Sequence, residues 1–195
     1  MSKIKLTKNE LKSQRDSLKR FQRYLPTLLL KKQQLQMEIR KLENDIKDRK
    51  SLEDKERSNL KSWICLYSQD INLSKFIEVL SLKTSQGNIA GVNIPLLDEI
   101  IFRHETPNLF HTPLWIDKGI NKIKDLIHLR VEIQILNEQY ELLSNELRTT
   151  TQRVNLFEKV KIPEAKENIR IIRIFMGDQQ TAAVARSKIA KGKSS

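Results

Sequence analysis

The chain has 195 residues, 38% of them hydrophobic and 31% charged, with a formal net charge of +12. Gly is scarce, and Leu, Ile, Lys, Glu, Gln and Arg dominate, a composition of long helices and not of a compact sheet-rich domain. No apolar run approaches the ~20 residues that span a bilayer, which excludes a helical membrane span.

Met1 to Glu10 is polar and basic, unlike a secretory signal, so a soluble cytoplasmic chain is expected. Thr7 and Glu10 have the spacing of a capping box, in which the Thr hydroxyl accepts from the Glu10 amide and the Glu side chain answers. A helix therefore starts near Lys8. Its stripe runs Leu11, Leu18, Phe21, Leu25, Leu28, Leu35, Ile39, Leu42 and Ile46, then more weakly Leu60 and Trp63, in steps of three and four. Gln14, Lys32 and Arg49 fill the remaining slots. A helix from about residue 9 to 64 is roughly 84 Å long at 1.5 Å per residue.

Pro26 interrupts this pattern at a cost of about 3 kcal/mol. Leu25, Leu28 and their partners each return roughly 1.5–3 kcal/mol on burial. Burial wins, and the expectation is one kinked helix; the alternative is a helix that starts afresh at Pro26. Leu29 and Leu30 lie off the stripe. They fit either a locally wider intramolecular core, the blander reading, or a contact with a surrounding protein.

Between residues 65 and 115 the period changes. Phe76 to Thr84, Ile89 to Pro95 and Leu97 to His104 are β-prone, with Gln86-Gly87-Asn88 and Pro95 as punctuation. The expected product is a small β-hairpin or three short strands capping the helices. So small a sheet cannot stand alone in water and must lean on the arms, with Trp63, Phe110, Leu114 and Trp115 as available contacts. Cys65 is the only cysteine, so no intramolecular disulfide forms. Asn72-Leu73-Ser74 fits a glycosylation sequon, but chance explains it in a chain with no secretory signal.

From residue 116 a second helix is predicted, capped by Asp117, with Gly119 tolerated in its first turn. Its stripe opens at Ile120, Ile123 and Ile127. It continues as a heptad seam through Leu126, Leu129, Ile133, Leu136, Tyr140, Leu143, Leu147, Val154 and Phe157, with Thr150 as a polar slot. Pro163 implies a second kink. Beyond it Ile169, Ile172, Met176 and Ala183 carry a thinner stripe to about Ala190, ahead of a basic tail.

Two long amphipathic helices around a short insert make an antiparallel two-helix coiled coil, mainly α, with a small β-hairpin-containing insert at the bend. The divisions are a first shaft helix over residues 1–64, a cap over 65–115 and a second shaft helix over 116–195. The favoured register has partner numbers that sum to about 182, which pairs Leu25 with Phe157, Leu28 with Val154 and Leu35 with Leu147, and Lys32 with Thr150 as a polar layer. A slip of one heptad also gives good pairs. A second arm helical over 116–190 spans about 110 Å. Its end overruns the first helix and needs a surface from another chain. The basic excess lies on the arms: +9 over residues 1–64, −2 over 65–115 and +5 over 116–195. Either a nucleic acid or an acidic protein cavity would be attracted to it.

Catalytic chemistry is not evident. Gly192-Lys193-Ser194 echoes a phosphate-binding loop but lacks its first Gly, since Ser187 stands there, and no strand precedes it. His104, His111 and His128 have no metal-ligand spacing. Asp98 and Glu99 are adjacent, so on a strand they face opposite sides and make a poor acid/base pair. No catalysis, metal or cofactor is expected of the chain by itself.

Three stretches carry a resemblance. Arg153-Val154-Asn155-Leu156-Phe157-Glu158 with Ile162-Pro163, Ile169 and Ile172 is similar to the R-V-N-A-L-E…I-P and I-x-x-I pattern of the D subunits of V-type (archaeal/bacterial A-type) ATPases and ATP synthases. Asn88 to Pro95 resembles that family's N-I-x-G-V-x-[IV]-P stretch, and Leu28, Lys31, Lys32 and Leu35 fall on its Leu- and Lys-rich motif. Phe157 where Leu is usual, Pro26 and Gln33-Gln34 depart from the pattern.

The resemblance implies a non-catalytic central-stalk component, a rotor axle. Its helical ends insert into the hexamer of catalytic A and B subunits, the F subunit binds beside the coiled coil, and the bent end meets a socket-like subunit on the membrane rotor. It implies a peripheral, cytoplasmic position, with ATP handled elsewhere and its turnover coupled to proton or sodium transport. Leu29, Leu30, Arg153, Lys161, Arg170 and Arg173 are the candidate partner contacts. The rival reading, a basic coiled-coil nucleic-acid-binding or scaffold protein, explains the charge but not the β-prone insert.

Overall fold

The computed structural model describes residues 5–61, 76–104 (backbone only at His104), 113 and 115–193. Helix α1 spans Lys8–Lys61, strand β1 Ile77–Ile89, strand β2 Val92–His104 and helix α2 Ile116–Leu156. A five-residue π-helical turn, Phe157–Lys161, then leads into α3, Ile162–Lys193. Trp63, Cys65, Asn72, Phe110, His111, Leu114 and Ser194 lie outside the described residues.

Helix α1 begins as its sequence dictates, but only half of the capping box forms. The Glu10 amide donates to Thr7 Oγ1 at 3.3 Å, whereas the Glu10 carboxylate accepts from Gln14 Nε2 at 2.8 Å instead of returning to Thr7. The helix passes through Pro26 without a break, so it does not restart there. At the head of α2, Asp117 is inside the first turn and not the cap. The Ile116 amide donates to the Pro113 carbonyl at 3.1 Å, and Asp117 places its negative charge at the positive end of the helix dipole.

The residues group into two compact units, one of Met1–Gln33 with Arg148–Ser195, the other of Gln34–Leu147. In the second unit α1 and α2 run antiparallel and the hairpin packs on them. Fully buried Leu35 and Leu143, with Ile39 and Leu42, enclose Ile94 of β2; Leu136, Tyr140, Leu147, Ile89, Ala90 and Val92 complete the cluster. A second cluster joins Ile77, Phe76 and Phe102 of the hairpin to Trp115, Ile116, Ile120, Ile123 and Ile127. Each such buried side chain contributes roughly 1.5–3 kcal/mol.

Helix α2 thus serves two neighbours. Ile135 and Gln139, off the seam, are buried as well, and the Gln139 side-chain amide donates to the Pro95 carbonyl. A strand-bearing neighbour widens the stripe of α2 beyond the narrow seam.

The β-region is one hairpin of two 13-residue strands, not three short ones. Its turn is Ala90-Gly91, where both residues have positive φ, 50° and 79°. That is the primed two-residue turn whose twist suits antiparallel strands. Asn88 secures it, its Oδ1 accepting from the Gly91 amide at 3.0 Å and its side-chain amide donating to Asn93 at 2.9 Å. Gln86-Gly87-Asn88 is therefore mid-strand and not a break. Gly87 faces Ile94, and a Cβ there would come within 2.9 Å of the Leu96 side chain, so this Gly makes room for a neighbour.

Between Ile46 and Leu60 charge replaces the seam. Glu53 is only 7% exposed and is met by Arg57 at 3.0 Å and, across from α2, Arg130 at 3.2 Å. Arg49 lies 3.1 Å from Glu132, and Lys122 donates to Glu56 at 3.0 Å. The Glu56 hydrogen bond, then its charge, raises the Lys122 ammonium pKa.

Candidate functional site

The residues singled out for partner contact all fall in the first unit. There α1 runs antiparallel to the end of α2, the π turn and α3. Leu11 and Leu18 pack against Ile169, Ile172 and Met176. Phe21 and Phe157 place their ring centroids 5.2 Å apart at 35°, and the Asn168 side-chain amide donates to Gln14 Oε1 at 3.4 Å. The Gln14–Asn168 numbers sum to 182, the value expected from the seam, whereas Phe21–Phe157 sums to 178, so Phe157 meets Phe21 one turn from the Leu25 expected opposite it.

The outward face of this unit is built from what the seam leaves over. Leu29 is 39% and Leu30 57% exposed, so the locally wider core is not formed there. Arg153, Arg170 and Arg173 are exposed, and Lys161 is partly so. Lys161 donates to Glu164 at 3.1 Å. Arg170 grips Glu167 with two bonds, at 2.9 and 2.7 Å. The hydrogen bond from Arg170 lowers the Glu167 carboxyl pKa, against a smaller opposing effect of burial, and that of Arg170 rises in turn. Arg153 and Arg173 have no ion-pair partner among the described residues.

These side chains do not converge on a pocket. They are spread over the outer surface of this unit. Among the described residues no three His, Cys, Asp or Glu side chains are grouped to hold a metal, and no helix is long and apolar enough to cross a membrane. His128 is exposed and stands 3.2 Å from Glu132 as a polar flank.

Sequence reading missed a second apolar face on α3. Ile171, Ile174 and Phe175 are exposed beside the buried Ile169 and Ile172. The doublets Ile171-Ile172 and Ile174-Phe175 were the available signal, since adjacent residues on a helix cannot both face one partner. Past Met176 the helix continues from residue 177 to Lys193 with every residue exposed. These residues bury no face, whereas most helical stability in proteins comes from packing an apolar face against a neighbour.

Charge follows the same division. Met1–Gln33 with Arg148–Ser195 carries 21 Lys/Arg and 6 Asp/Glu, a net +15; Gln34–Leu147 carries 15 and 18, a net −3. The entire basic excess thus belongs to the unit that holds the overrunning helix.

Comparison with known proteins gives a consistent picture. Residues 10–192 match the family of ATP synthase D subunits. The V-type ATP synthase D subunit of Borreliella burgdorferi is 53% identical over 191 residues, covering 98% of this chain and 95% of that protein. The V-type ATP synthase D subunit of Chlamydia pneumoniae is 34% identical over 97% of this chain and 92% of its own length. That of Chlamydia muridarum is 33% identical over 98% and 96%.

Proposed function

This chain belongs to the family of ATP synthase D subunits, which are non-catalytic, and we propose that it is the central-stalk axle of a V-type ATPase or ATP synthase. In this role it transmits rotation between the catalytic A/B hexamer and the membrane ion-translocating rotor, coupling ATP synthesis or hydrolysis to proton or sodium transport. Its site of action is the cytoplasmic face of the membrane.

The observation that carries the reading is the far end of α3. It is helical, exposed on all sides after Met176, and part of a unit with net charge +15. A helix so placed needs an enclosing surface, and its charge favours an acidic one. The ring of A and B subunits supplies such an enclosure. Leu29, Leu30, Arg153, Lys161, Arg170 and Arg173 are the proposed contacts with it. The F subunit is proposed to lie beside the coiled coil. Residues 65–115 serve as the cap that meets the socket-like subunit, between shaft helices over 1–64 and 116–195.

Paired helices suit torque. Two supercoiled helices with interlocked seams resist twisting better than one. An outer face of solvated charges lets the axle change pose against its ring without leaving one large apolar patch.

The test is co-expression with A, B and F subunits. The chain is expected to co-purify with a hexamer that hydrolyses ATP. Failure to do so, with salt-sensitive RNA binding at physiological ionic strength in its place, would favour a nucleic-acid-binding role.

A further inference from the structure

The seam of the second arm contains one irregular step. From Leu143 it advances by three or four residues to Leu147, Thr150, Val154 and Phe157. The next inward residue is Ile162, five positions on, after which Ala165, Ile169, Ile172 and Met176 resume the three-four pattern. The structure spans this step with the π turn. The Ile162 amide donates to the carbonyl of Phe157, five residues back, where an α-helix would reach four. One surplus residue is thus looped into the helix so that the face beyond returns to α1. None of Phe157–Lys161 is buried, and Val160 is exposed.

Helix α1 has its own backbone defect at the same level. Pro26 lies within about one turn of the entry to the π turn: the Gln14–Asn168 register places it opposite Leu156 and the Phe21–Phe157 contact opposite Gln152. Pro26 offers no amide to the Gln22 carbonyl. Beside it, the Thr27 hydroxyl donates to the Tyr24 carbonyl at 2.8 Å. Packing is thin here too: no residue of α1 between Leu11 and Leu35 is buried, and Leu18, Phe21, Leu25 and Leu28 are only half-buried. Below lie the buried Thr150 and Val154, above lie Ala165, Ile169 and Ile172.

We infer that Pro26 and the Phe157–Lys161 π turn together form a compliant joint in the coiled coil, at which the segment holding Leu11, Ile169 and Ile172 bends and twists against the segment holding Leu28 and Val154. Neither defect alone weakens both helices; their coincidence does. The inference concerns the mechanics of the chain and stands whether or not the axle reading holds.

Amide-resolved hydrogen exchange of the full chain tests it. Amides 23–30 and 157–162 are expected to exchange about tenfold faster than the flanking amides on both sides, 35–46 with 143–154 and 12–18 with 165–172. Protection that is uniform, or that only declines towards the helix ends, overturns the joint. Deleting Val160 restores an unbroken three-four seam and removes no buried side chain. Combined with Pro26→Ala it is expected to abolish the fast window. Pro26→Ala alone restores an amide to the Gln22 carbonyl and is expected to slow 23–30 while leaving 157–162 fast. An unchanged window at 23–30 in that single variant contradicts the role assigned to Pro26.

Discussion

Arg130 of α2 donates to Glu53 of α1 at 3.2 Å, an ion pair between helices in the stretch from Ile46 to Leu60 where charged residues replace the apolar seam. The two numbers sum to 183; Arg49 with Glu132 sums to 181 and Tyr140 with Glu43 to 183. Charge therefore marks the register within this unit as well as apolar fit does. Its energetic value is a separate question. Glu53 is buried, but its Arg partners are mostly exposed and rehydrate easily. We expect Glu53→Ala to cost about 1–2 kcal/mol, and Glu53→Leu to be neutral or stabilising. Urea unfolding of both variants decides. A Leu variant as destabilised as the Ala variant would mean that the pair itself, and not filled volume, supports the seam.

The division between seam and outer face has a direct mutational signature. Leu143→Ala or Leu35→Ala removes a fully buried side chain from the same cluster and is expected to cost about 2–5 kcal/mol. Arg153→Ala and Arg173→Ala touch solvated side chains and are expected to change stability by no more than about 0.5 kcal/mol. If these residues make the proposed contacts, the order is expected to reverse in the assembled complex: the Arg variants should lower the yield of ion transport per ATP although they fold normally. Arg variants that unfold the isolated chain would show that these residues are structural.

The hairpin turn holds a residue that its backbone does not favour. Ala90 has φ 50° beside Gly91. Asn tolerates that region better, and Asn-Gly is the preferred pair for this turn. Ala90→Asn is expected to raise stability by about 0.5–1 kcal/mol, and Gly91→Ala to lower it by more than about 1 kcal/mol. Thermal melts of the two variants, moving in opposite directions, are the check.

Glu167 provides a pH signature. Arg170 stabilises its carboxylate, so its folded pKa lies below the ordinary 4.5. The stabilisation is complete above the unfolded value and is lost as pH falls through the folded one. The carboxyl resonance of Glu167 is expected to titrate at lower pH than that of an unpaired Glu. Arg170→Gln is expected to move it back up. No movement would mean that the bidentate pair does not persist in solution.

Most of the helical architecture was legible because heptad spacing carries it: the stripes, continuity through Pro26 and the register near 182 all follow from which residues recur at three and four. The hairpin was legible as β-prone but not in its layout. Gly87 looks like a breaker and is a clearance, whereas Ala90-Gly91 looks like strand and is the turn. A single chain pattern does not distinguish a Gly that permits positive φ from one that admits a neighbouring Leu. The charged belt at Glu53 was hidden because its stability depends on partners 77 residues away in Arg130. The outer face was the least legible part. Leu30 and Arg173 could be singled out from the sequence, but the exposure of Ile174 emerges only once α1 is known to cover Ile169 and Ile172.

The central claim is that this chain turns inside its complex. The direct measurement is single-molecule observation of the A/B hexamer fixed to a surface, with a probe on the hairpin at Leu80→Cys in a Cys65→Ser background. Leu80 is exposed and takes the probe without disturbing the cluster around Ile94. Unidirectional stepwise rotation of the probe on adding ATP is the predicted result. A probe that stays fixed relative to the hexamer while ATP is hydrolysed would contradict the axle.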